Sequence, residues 1–133
     1  MTYTLARRIV RDKRGTTTLE FAMVIPVFLL FLFGVVEFGR GLEMYNEMAS
    51  AASSVSRIAM LDDSVSNASL ETTIRNRLAG FTEADLQVGF STETVSGIPY
   101  RVINISYPLH FVTPFLDMVN ITLATRSRTP LSS

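Results

Sequence analysis

The chain has 133 residues, enough for one small domain and an anchor but not for two independent cores. It has no cysteine, which excludes structural disulfides, thioether-linked haem and thiolate metal sites. Its net charge of zero conceals a lopsided layout: the residues before Gly15 balance to +4, and those from Thr16 onward to −4.

Residues 1–15 read as a polar, basic leader carrying Arg7, Arg8, Arg11, Lys13 and Arg14 against the single acid Asp12. No stacking aromatics or recognition helix accompany this cluster, so nucleic acid is not an expected partner. Residues 16–37 form the apolar segment that follows. From Phe21 to Val36 there is no charge, and Leu19 and Phe38 extend the apolar stretch at either end. That approaches the roughly 20 residues needed to cross a bilayer core. A basic flank beside such a span is retained on the cytoplasmic side. The expected topology is therefore single-pass, with the N-terminus cytoplasmic, the remainder extracytoplasmic and the span in lipid.

The helix is expected to run from residue 19 to about 61, changing character midway. Over residues 38–61 the positions Phe38, Leu42, Tyr45, Ala49, Ala52, Val55 and Ala59 are spaced by threes and fours, as an amphipathic helix requires. Residues 62–133 are expected to be a small α+β domain. Asp62, Asp63, Ser64, Ser66 and Asn67 break the long helix. Ser69, with Glu71 and Thr72, is read as the start of a short second helix ending near Ala79, with Gly80 as its stop. Leu86, Val88 and Phe90 alternate with polar residues, Tyr100 to Tyr107 is β-branched, and Ile121, Leu123 and Thr125 alternate again. Ser96-Gly97 is the expected turn between the first two strands. Pro108 to Met118 reads as a long apolar loop. The predicted fold class is thus α+β: a long N-terminal helix packed through its amphipathic half against about three antiparallel strands and one short helix.

The junction Lys13-Arg14-Gly15-Thr16-Thr17-Thr18-Leu19-Glu20-Phe21 is the most specific signal in the chain. Gly15 has no side chain, so a peptidase can hold the backbone there in a narrow cleft. Lys13 and Arg14 keep that bond at the cytoplasmic face. Glu20 is a carboxylate at the mouth of an apolar helix, costly unless neutralised, and therefore a functional candidate. A cut after Gly15 would make Thr16 a free ammonium, with which Glu20 of the same or a neighbouring chain can pair.

At this junction, in Pro26, and in Phe33-Gly34-Val35-Val36-Glu37-Phe38-Gly39-Arg40, the sequence resembles the TadE-like minor pilins, or pseudopilins, of the tight-adherence (Tad/Flp) pilus system, relatives of type IV pilins. The resemblance covers residues 11–61 and is only general beyond them. It implies cleavage after Gly15 by a prepilin peptidase, a mature chain starting at Thr16, and a Glu20 that guides processing and subunit docking. It also implies other pilins and an inner-membrane assembly platform as partners, the bacterial inner membrane or the pilus itself as location, and surface adhesion as the biological setting. The major pilins of that system typically carry Glu-Tyr where this chain has Glu20-Phe21, and they are much shorter. Both differences favour the minor class.

Other residues allow competing readings. Pro26 removes a helical hydrogen bond, which spans tolerate and which can also loosen a helix for packing. Gly34, Gly39 and Gly41 offer small surfaces for close helix approach, Gly34 best of all. Glu37 and Arg40, three apart, are placed to pair at the outer interface. His110 is the sole histidine and has no second ligand to share a metal. No nucleophile–base pair, phosphate loop or paired carboxylates stand out, so neither enzyme activity nor a cofactor is expected. An uncleaved, permanently anchored binding module is the alternative reading. A conventional secretory signal is disfavoured because Glu37, Phe38 and Arg40 occupy the zone where its cleavage site would fall.

Overall fold

The computed structural model describes residues 13–112 and 119–131, with side chains from Thr16 onward. Arg7, Arg8, Arg11, the side chains of Lys13 and Arg14, and residues 113–118 of the expected loop lie outside the described residues. In chain order the elements are α1 (Lys13–Leu61), α2 (Asn67–Arg77), β1 (Gln87–Val95), β2 (Ile98–Leu109) and β3 (Ile121–Pro130). The α+β class is as the patterning required. The chain divides into two units, Met1–Glu37 and Phe38–Ser133.

In the first unit, α1 passes through Pro26 without a break in its assignment. Its apolar side chains are exposed on every side: Phe21 is 65% exposed, Met23 72%, Val27 67% and Phe31 72%. A helix apolar all round is stable only where something other than water covers it.

The second unit is a three-stranded antiparallel sheet in the order β1-β2-β3, with a core that includes Met48, Ala52, Val55, Leu70, Ile74, Ile103 and Ile105. Ser96 and Gly97, both at positive φ, turn β1 into β2 and set the register Val95↔Ile98 through Gln87↔Ser106. Consecutive positive-φ residues match the strand twist of a two-residue hairpin, which is why a glycine is needed there. β2 pairs β3 from Tyr100↔Pro130 to Leu109↔Ile121.

Three expectations needed correction. The buried face of α1 is not the one traced by its largest apolar residues. Gly41, Met48, Ala51, Ala52, Val55 and Ala59 are buried, whereas Phe38, Leu42 and Tyr45 remain exposed and Ala49 is only half-buried. The two stripes share Ala52, Val55 and Ala59 and diverge by one position, about 100° of helix rotation, toward the N-terminal end. Small residues win because they let the sheet come close.

The second correction concerns α2. It starts at Asn67 rather than Ser69, because the Ser66 hydroxyl caps it by accepting from the Ser69 backbone N–H. It ends at Arg77, with Leu78 as its C-cap, so Gly80 lies beyond the stop. Leu70, Ile74 and Leu78 are buried as a single face, as their spacing predicted.

The third is that Pro108 and Leu109 are not loop but the end of β2. β1 stops pairing at Ser106, so beyond it β2 has β3 alone as a neighbour. A proline without an N–H is tolerated on such an edge.

Candidate functional site

The site is built on the first turns of α1. Gly15 and Thr16 are helical. Thr16 and Glu20 stand four residues apart, which on a helix is one face, and both are exposed.

Farther along, Pro26 removes the donor that would satisfy the Ala22 carbonyl. Gly34 is half-buried, and a Cβ there would meet nothing within 4 Å. Its small surface is thus not used by another part of the chain among the described residues. Gly39 is equally open. Gly41 behaves differently: a Cβ would come within 3.1 Å of Leu109 Cδ2, so this glycine seats β2 on the helix. Glu37 is 5% exposed. Arg40 donates through Nη2 to the backbone carbonyl of His110, an interaction that spacing along the helix could not have revealed.

His110, the residue after β2, makes polar contacts. Its Nε2 lies 3.1 Å from Asp85 Oδ2, and its ring meets Tyr107 edge-on at 6.2 Å. Tyr107 also packs edge-on against Phe81 at 4.9 Å. These contacts knit the end of β2 to the turn after α2. Among the described residues no group of three or more His, Cys, Asp or Glu could hold a metal ion. A groove of about 830 Å³ runs between α1 and the end of α2, lined by Leu42, Glu43, Glu47, Arg77 and Gly80 among others.

Among the described residues one helix is long and apolar enough to cross a membrane, within Thr16–Leu61. The TadE-like protein family matches residues 15–57. Over this segment, less than half of the chain, the sequence is similar to that family. The matched region opens at Gly15, takes in Glu20 and the whole apolar stretch, and ends within the part of α1 that carries the sheet. The apolar helix fits a single-pass membrane anchor. No curated protein and no solved structure matches the chain.

Proposed function

We propose that this TadE-like chain is a minor pilin, a structural rather than catalytic subunit of a Tad-type pilus, matured by a prepilin peptidase that cuts after Gly15. The observation that carries the reading is the TadE-like match over a helix whose apolar side chains are exposed on all sides. Lipid covers such a helix before assembly, and the helices of other pilins cover it afterwards. The basic leader holds the N-terminus in the cytoplasm. The second unit is then extracytoplasmic, on the inner membrane or carried into the pilus. Glu20 is neutralised by a Thr16 ammonium, which rewards docking over remaining in lipid.

Intact-mass and N-terminal peptide spectrometry of membranes, with and without the prepilin peptidase, tests this. A chain beginning at Thr16 only when the peptidase is present supports the proposal. A chain beginning at Met1 in both preparations overturns it in favour of a permanently anchored binding module.

A further inference from the structure

The outer face of the sheet gathers three charged side chains over one valine. Side chains alternate between the two faces of a strand. Ile103 and Ile105 belong to the core, so Val102 and Asn104 face away from it. Val102 is nevertheless fully buried. In the register it stands between Ser91 on β1 and Arg128 on β3, and Glu93 and Arg126 share its face. Glu93 Oε2 accepts from Arg126 Nη2 at 2.8 Å and pairs with Arg128 Nε at 3.2 Å. β1 and β3 lie about 9.5 Å apart, with β2 between them. The ion pairs therefore arch over β2, and Val102 lies beneath the arch.

One carboxylate faces two guanidiniums, so the arch carries a surplus positive charge. Glu93 is the only acid that the strand register places on this face. The two arginine side chains remain 50% and 48% exposed, and each guanidinium has further N–H donors. A half-exposed ion pair is worth little, so an incoming anion can take those donors, or displace Glu93, at small cost. A guanidinium presents parallel N–H groups that match a carboxylate or a sulfate.

The surroundings suit a ligand rich in hydroxyls. Gly89, Ser91, Ser106 and Ala124 are small and keep the face low beside the arginines, while Gln87 and Asn104 are exposed amides. The chain from Thr16 onward balances to −4, which disfavours a dense polyanion such as nucleic acid. We propose that Arg126 and Arg128, bridged by Glu93, form a binding site for an acidic polysaccharide. The guanidiniums hold its carboxylate or sulfate groups, and Asn104 and Gln87 meet its hydroxyls. The site needs only the folded Phe38–Ser133 unit and rests neither on cleavage after Gly15 nor on the membrane anchor.

Binding is measured by titration calorimetry on the full chain in uncharged detergent micelles at low salt. Polygalacturonate is the carboxylate probe, dextran sulfate the sulfate probe and dextran the neutral one. The expected result is binding of at least one acidic polymer and none of dextran, and the polymer that binds names the acid group. Arg126→Gln/Arg128→Gln should weaken binding by roughly tenfold. Arg77→Gln removes an exposed guanidinium from α2 and should change binding by less than about twofold. Glu93→Gln separates a binding site from a strut: freeing both guanidiniums should tighten binding by roughly threefold, whereas a purely structural arch gains nothing. Circular dichroism checks the folding of each variant. If the glutamine pair unfolds, Arg126→Lys/Arg128→Lys keeps the charge but loses the planar fork, and should weaken binding by roughly threefold. An equal loss in Arg77→Gln and the double variant, or no gain in Glu93→Gln, overturns the site in favour of diffuse charge attraction. Failure of both acidic polymers to bind overturns it outright. Tighter binding of single-stranded DNA than of either polymer overturns it in favour of nucleic acid.

Discussion

Leu109 rests on Gly41 so closely that a Cβ added to the glycine would stand 3.1 Å from Leu109 Cδ2. The contact ties the end of β2 to α1 and makes residue 41 a position where size matters more than helix propensity. Gly41→Ala sets a gain of up to about 1 kcal/mol in helix propensity against a small displacement of a flexible leucine methyl, and should leave stability nearly unchanged. Gly41→Leu cannot be absorbed in this way and should cost about 1–3 kcal/mol. For a domain of this size that lowers Tm by on the order of 10 °C. Gly39→Leu, at a position with nothing within 4 Å, is the control and should not lower Tm. Thermal unfolding of the full chain in detergent micelles, followed by circular dichroism, reads all three.

Thr129 is fully buried on β3, and its Oγ1 has no hydrogen-bond partner among the described residues. A buried hydroxyl left unpaired loses its hydration without compensation. Thr129→Val keeps the shape and the β-branching while removing the hydroxyl, and should stabilise the domain by about 1 kcal/mol. The same change at Ser127 should have the opposite sign, because the Ser127 hydroxyl accepts from Ser56 at 2.7 Å across the helix–sheet contact. If both valines move the denaturant midpoint in the same direction, the assignment of Thr129 as an unsatisfied group is wrong.

How far these features were legible in the sequence depended on whether local pattern or tertiary contact decided them. The hairpin could be read because Ser96-Gly97 has local turn chemistry, and the Leu70, Ile74, Leu78 face because its spacing allows a single solution. The amphipathic half of α1 allowed two overlapping stripes. Bulk favoured Phe38, Leu42 and Tyr45, but the sheet packs over Gly41 and the alanines. Only the partner surface decides such a choice. Pro108 was misread for a related reason: its place in β2 depends on β1 ending at Ser106, which no property of the proline encodes. Of the candidate site, the apolar stretch follows from sequence because it lies on one helix. The bond from Arg40 to the His110 carbonyl, spanning seventy residues of chain, has no local signal.

The Asp62 carboxylate closes the turn that ends α1. Its Oδ1 accepts from the Ser64 hydroxyl at 2.5 Å and from the Ser64 backbone N–H at 2.9 Å. These two bonds favour the charged form and hold the carboxyl below its ordinary value of 3.8, the side-chain bond contributing most. A carboxyl depressed in the folded state adds stability at pH values above its unfolded value, and loses that contribution as pH falls through the folded value. Asp62→Asn should therefore be less stable than the parent chain at neutral pH. The gap should narrow only below about pH 4. Parallel Tm measurements on the two chains from pH 7 to pH 3 give the test. A gap that widens on acidification would reverse the assigned sign.

Glu20 offers the sharpest separation between entering a membrane and leaving it. The carboxylate is exposed beside Leu19 and Phe21, which are each 65% exposed, so the isolated chain gives it no dry pocket. In lipid it is a cost, and substitution by alanine makes insertion easier. In the proposed assembly it would pair with an ammonium, and a charged hydrogen bond contributes about 1.5–3 kcal/mol, equivalent to tenfold or more in an association constant. Glu20→Ala should leave the amount of chain in the membrane fraction unchanged or raised, while reducing its recovery with sheared pili by roughly tenfold. Glu20→Gln keeps a polar group but no charge. It should fall with alanine if ion pairing governs docking, and remain near the parent chain if an uncharged hydrogen bond suffices. Undiminished recovery of both variants with pili would remove Glu20 from assembly and leave the apolar faces of α1 as the source of docking energy.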